Sequence, residues 1–174
     1  VMGTRLYFEA RYSSNDLELW AHETTNSSTW QVANINSGGH GEANDITVMG
    51  TRLYFEANDG SSGRELWAHE TTNGSTWQVA DINSGSGNGY ASDITVMGTR
   101  LYFEAWDGSS GLELWAHETT NSSTWQVADI RSGSGYAYAN DIVGMGTRLY
   151  FEATDGSSGY ELHMMEIEHS ITYG

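Results

Sequence analysis

The chain has 174 residues, enough for one domain with a core of its own, and 7 Trp and 10 Tyr give it too many large side chains for a disordered polymer. Against 23 acidic residues stand 7 Arg and no Lys, a net charge of −16 that disfavours nucleic acid and anionic membranes as partners. The absence of cysteine excludes disulfides and thiolate metal sites, and no apolar run approaches the ~20 residues of a membrane-inserted span.

The chain opens on Val1-Met2, with no initiator Met and nothing resembling a signal peptide, as expected of a processed or excised piece. Gly3 then begins the block Gly-Thr-Arg-Leu-Tyr-Phe-Glu-Ala, which returns at Gly50, Gly98 and Gly146, a period of 47 and then 48 residues. A fixed period of this size marks a repeat architecture. The units run over 1–44, 45–92, 93–140 and 141–174 of a single repeat domain.

The second unit shows the elements in order. Asp45-Ile46-Thr47-Val48-Met49 is short and β-branched and reads as a strand. Gly50-Thr51 turns the chain into a second strand, Arg52 to Ala57, with alternating aromatic and aliphatic positions. Asn58-Asp59-Gly60-Ser61-Ser62-Gly63 is composed of residues that tolerate tight turns. Glu65 to Glu70 is the third strand, Thr71 to Gly74 a turn, and Thr76 to Ile82 the fourth strand. A Gly/Ser-rich link, Asn83 to Ser92, leads to the next unit. Large residues on both faces of these strands, with three hairpins and one long link, predict an all-β, four-bladed β-propeller-like repeat with four strands per blade. A β-solenoid is the alternative. The six strand tryptophans Trp20, Trp30, Trp67, Trp77, Trp115 and Trp125 are expected in the core.

The pattern Gly-x-x-Leu-Tyr-Phe-x-Ala-x-Asp-Gly-x-x-Gly-x-Glu-Leu-Trp stands complete at 50–67 and 98–115. In the last unit His163 replaces the Trp, and in the first the loop reads Arg11-Tyr12-Ser13-Ser14-Asn15-Asp16. The pattern resembles the Glu-Leu-Trp repeats of bacterial and archaeal surface proteins. That resemblance, covering nearly the whole chain, implies a propeller-like fold and an extracellular or cell-surface location, and no particular activity.

The ends depart from the pattern. The first unit lacks most of its inner strand, and the last diverges after Leu162. Ser170-Ile171-Thr172 resembles Ser92-Asp93-Ile94-Thr95 with one residue lost, so the tail is expected to supply the missing inner strand of the first blade and close the ring. Alternatively it forms the outer strand of the fourth blade. Either way one edge is left short, and an unpaired edge is a template for self-association through end strands.

In such a meander the Asp-Gly-Ser-Ser-Gly loop and the long link share one face, and the repeats differ most there. Asn58 becomes Trp106 and Thr154; Arg64 becomes Leu112 and Tyr160; the links carry His40, Tyr90, or Tyr136 with Tyr138. Binding residues concentrate on loops of a fixed scaffold. Trp106, Asp107, Tyr90, Tyr136, Tyr138, Asp59 and Asp155 are therefore the candidate ligand-binding residues, with Trp106 placed to stack on a sugar or an apolar partner. The loop carboxylates offer oxygens to calcium, which takes six to eight. They lack EF-hand spacing and read first as turn caps, so no metal or cofactor is assigned. Asp45, Asp93 and Asp141 recur before the inner strand, either capping it or ringing a channel mouth. His22, His69 and His117 recur on the third strand, where packing between blades is favoured over a zinc ring. Asn26, Asn73 and Asn121 head sequons at one recurring turn and are glycosylation candidates.

Near-copies supply the same residues several times, whereas catalysis needs different groups in different roles. No catalytic residue is assigned. The expected function is non-catalytic: adhesion or structural assembly outside the cell, as a matrix or filament subunit. The alternative is a carbohydrate-binding lectin that uses the variable-loop face.

Overall fold

The computed structural model describes residues 1–12 and 16–167. These residues are all-β and form four antiparallel sheets in chain order, each a meander whose neighbours in sequence are neighbours in hydrogen bonding. The first sheet holds β1 (Arg5–Arg11), β2 (Leu17–Glu23) and β3 (Ser28–Ala33). The second holds β4 (Asn44–Met49), β5 (Arg52–Asn58), β6 (Arg64–Glu70) and β7 (Thr76–Ala80). The third is β8 (Ser92–Met97), β9 (Arg100–Trp106), β10 (Leu112–Glu118) and β11 (Ser123–Ala128). The fourth is β12 (Asn140–Met145), β13 (Arg148–Ala153) and β14 (Glu161–Glu166). Separate sheets, rather than ladders running through successive repeats, set aside the solenoid alternative.

Alternation along the second strand of each sheet explains the stacking. In β9, Leu101, Phe103 and Ala105 point back to the second sheet, meeting Tyr54, Leu66 and Ala68, while Tyr102 points forward to Leu149, Phe151 and Ala153 of the fourth. A third core joins Leu19 of the first sheet to Leu53, Phe55 and Ala57 of the second. Each boundary contains fully buried leucines, worth about 2 kcal/mol apiece in apolar area. The inner strands β4, β8 and β12 lie side by side.

Two strand positions of the repeat, the inner and the fourth, differ from the sequence reading. The inner strands begin at Asn44, Ser92 and Asn140, a residue before the unit boundaries, and break register immediately afterwards. Asp45, Asp93 and Asp141 sit at that break with φ of 51°, 53° and 51°, so each is a left-handed bulge residue rather than plain strand. The fourth strand of the second unit ends at Ala80, not Ile82, because the amides of Ile82 and Asn83 turn inward to donate to the carboxylate of Glu65 at 2.7 and 3.1 Å. Glu18 and Glu113 hold Ile35 and Ile130 in the same way, each at 2.7 Å.

The tryptophans also divide. Trp67 is buried, whereas Trp20 and Trp115 at the same third-strand position and Trp30, Trp77 and Trp125 on the outer strands are half-buried. Arg5, Arg52 and Arg100 lie over the outer-strand rings at 5.6, 5.7 and 5.8 Å while bonding Glu23, Glu70 and Glu118. An outer strand has no further sheet beyond it, so a guanidinium stem covers the indole instead.

Among the described residues the four sheets do not close into a ring. Leu6 on the first sheet is 40% exposed and Leu162 on the fourth is 77% exposed, where a closed ring would bury both. The segment expected to close it, 170–172, lies outside the described residues.

Candidate functional site: an aromatic strip on the loop and link face

A recurring backbone bond brings each long link against the next sheet. Asn58, Trp106 and Thr154 donate their amides to the carbonyls of Gly41, Gly89 and Ala137 at 2.8, 2.7 and 2.9 Å. The residue that follows in each link, Glu42, Tyr90 or Tyr138, adopts φ near 51° and bonds back to the carbonyl of Leu17, Arg64 or Leu112. Three copies of one strained backbone thus hold a glutamate at the first boundary and a tyrosine at the other two. Loop and link do share a face, and the variable positions gather at the three sheet boundaries.

The first boundary is charged. Arg64 bonds Glu42 at 2.8 Å and lies 3.7 Å from the buried carboxylate of Glu56, while His40 accepts the amide of Leu17 at 3.2 Å. Burial pushes Glu56 up to about 7 against the pull of Arg64. The second and third boundaries are aromatic. Tyr90 and Trp106 lie nearly parallel, 16° apart with centroids at 6.4 Å. Trp106 meets the edge of Tyr136 at 6.2 Å, Tyr136 meets Tyr138 at 5.6 Å, and Tyr138 meets Tyr160 at 6.1 Å. Five rings therefore run in one contiguous strip, with Tyr90, Tyr136 and Tyr160 exposed by 36%, 37% and 53%. Asn88 donates to the Tyr90 hydroxyl at 3.0 Å, fixing one end.

The strip unites four of the candidate residues, Trp106, Tyr90, Tyr136 and Tyr138, and adds Tyr160. In the sequence Tyr160 is only a position that varies between units. Nothing local announced that it falls beside Tyr138, because that contact depends on the stacking of sheets. The three carboxylate candidates sit apart, each in its own loop. Asp59 accepts both amides and both hydroxyls of Ser61 and Ser62 at 2.8–2.9 Å. Asp107 does the same with Ser109 and Ser110, and Asp155 with Ser157 and the Ser158 amide. Against a desolvation penalty, these bonds hold Asp59 at about 2 and Asp107 below the ordinary range; the Ser157 bonds lower Asp155. They shape the loops that carry the strip.

The recurring histidines each bond a threonine on the outer strand of their own sheet, His22 to Thr29, His69 to Thr76 and His117 to Thr124, at 2.7–2.8 Å. His117 also faces Tyr54 of the preceding sheet, centroids 6.5 Å apart. Asn26, Asn73 and Asn121 are exposed, and their side-chain oxygens cap the turn by accepting the amides of Ser28, Ser75 and Ser123. Asp45, Asp93 and Asp141 line a cavity of about 420 Å³ between the inner strands, with Ile46, Ile94 and Ile142. Burial, then the other two carboxylates, raise Asp93.

No family model and no curated protein matches the sequence. Solved structures do resemble the fold. TolB from Acinetobacter baumannii aligns over 94% of this chain and 38% of its own, with a TM-score of 0.68 at 10% identity. Puromycin hydrolase aligns over 94% of this chain and 25% of its own, with a TM-score of 0.72 at 12% identity. A structure from a study of two prolyl endopeptidases gives 0.60 at 11% identity. The chain thus spans well under half the length of these proteins, and the parts it matches are β-propeller domains. At such identities the likeness is one of fold.

Proposed function

We propose that this chain is a propeller-type module of four blades, one per sheet, that works outside the cell as a non-catalytic binding surface, and that the aromatic strip takes an extended neutral glycan. The observation that carries this reading is the run of five rings from Tyr90 to Tyr160 on one face. Sugar rings present apolar C–H faces that stack on aromatic side chains, and a strip contacts several units of one chain at once. The net charge of −16 repels acidic polysaccharides and leaves neutral ones favoured. The sequon turns lie at the opposite end of the blades from the links, so sugars on Asn26, Asn73 and Asn121 would leave the strip clear. Adhesion follows if the ligand belongs to another surface.

The test is affinity electrophoresis, then calorimetric titration, against soluble neutral polysaccharides. Trp106→Ala is expected to weaken binding about tenfold, the loss of one or two ring contacts, with an unchanged melting midpoint. Absence of saturable binding to every neutral polysaccharide, or binding indifferent to Trp106 and Tyr138, sinks the glycan reading.

A further inference from the structure

The three internal boundaries define a front and a back for every blade. The front carries Met, Tyr, Leu and a small residue, as Met97, Tyr102, Leu114 and Ala116. The back carries Leu, Phe, Ala and the third-strand Trp and His, as Leu101, Phe103, Ala105, Trp115 and His117. Among the described residues, nothing covers two such faces. The back of the first blade shows Leu6, Phe8, Ala10, Trp20 and His22; its Leu6 is 40% exposed where Leu53, Leu101 and Leu149 are fully buried. The front of the fourth blade shows Met145, Tyr150, Leu162 and Met164; its Leu162 is 77% exposed where Leu19, Leu66 and Leu114 are fully buried. Met145 and Met164 are 64% and 52% exposed.

We infer that the front of the fourth blade docks on the back of the first blade of a second copy, and the reverse, so that two copies close one eight-bladed ring. The uncovered faces carry the Leu and Tyr, and the Leu, Phe and Ala, of an interface this chain already makes three times; Met164 stands where that interface has Ala21, Ala68 and Ala116. A face built to be half of that interface is best covered by the other half. The contact is heterologous, and with two copies it is satisfied twice about a two-fold axis. Eight blades lie within the range of closed propellers. In the assembly Tyr150 stands over His22 of the second copy as Tyr54 stands over His117 within the chain. This inference rests on the blade reading above and not on the glycan site.

Native mass spectrometry and light-scattering mass across dilution test it, with Leu6→Arg and Leu162→Arg as variants. Both leucines are exposed in the single chain, so each variant keeps its fold, checked by circular dichroism and melting. The expected result is a two-copy mass for the wild type and a single-copy mass for either variant, with the dimer constant weakened at least about 100-fold by a buried unpaired charge. Mixing the two variants is expected to restore a two-copy species, because each retains the face the other needs. A wild type that is single-copy at about 100 µM overturns the inference. So does a dimer that survives in one variant, which marks a like-to-like contact, and so do open-ended polymers, which mark a contact that does not close. Trp106→Ala leaves the mass unchanged, so a failed glycan site and a failed ring are told apart.

Discussion

Glu65 explains why the Glu-Leu-Trp triplet recurs. Its side chain is fully buried, and its two oxygens accept the amides of Ile82 and Asn83 as the chain leaves the fourth strand for the long link. Glu18 and Glu113 do the same for the first and third links, and Glu161, in the last sheet, is exposed. Truncating such an acceptor strands two backbone donors in the interior, at about 1–3 kcal/mol each. Glu65→Ala and Glu113→Ala are each expected to cost roughly 3 kcal/mol in urea unfolding, Glu65→Gln less, and Glu161→Ala under about 0.5 kcal/mol. Equal losses at Glu65 and Glu161 would refute the clamp. The triplet is visible in the sequence, but its acidic member reads there only as the first residue of the third strand. Burial turned it into the anchor of a segment 17 residues away.

Elements are set by the hairpins that join them. The Asp-Gly-Ser-Ser-Gly loop closes on its own carboxylate, and its last glycine, Gly63 or Gly111, takes φ of 72° or 79° with the carbonyl of Gly87 or Gly135 pressed where a Cβ would stand. Backbone cannot yield there as a flexible side chain does. Gly63→Ala is therefore expected to lose more than about 1 kcal/mol, from strain as well as contact, while Gly74→Ala, facing open space, pays only for its left-handed φ. Chemical denaturation of the two variants side by side measures the difference, and an equal loss would place the whole effect in φ. Strand order and hairpins were legible because aromatic alternation and turn residues act locally. The bulges at Asp45, Asp93 and Asp141 were not, since an aspartate before a β-branched run reads equally as strand or cap.

At the scale of the molecule, buried acids give stability an unusual pH dependence. Glu56, Glu65, Glu104 and Glu113 are pushed up to about 7, chiefly by burial. An unfolded Glu titrates near ~4.3, so between there and about 7 the folded chain binds more protons and stability falls as pH rises, levelling above that window. Glu23, Glu70, Glu118 and Asp59 work oppositely. Held at about 2 by hydrogen bonds from threonines, serines and arginines, they keep the folded chain short of protons as pH drops below roughly 4, and stability falls there too. The melting midpoint is expected to peak near about pH 5 and to be lower at pH 8, even in salt that screens the acidic surface. Calorimetry that shows a steady rise from pH 5 to pH 8 would contradict it.

The sequence by itself determined the period, the strand order within each unit, the face on which the units differ and four of the five rings on it. These follow from local alternation and from comparing one repeat with the next. Only the tertiary structure decided that the rings of separate units touch, that Tyr160 completes the strip, that the loop carboxylates serve their own loops, and that the described sheets do not close on themselves. Each of these depends on how one sheet stacks on the next, a relation between residues dozens of positions apart that no spacing along the chain encodes.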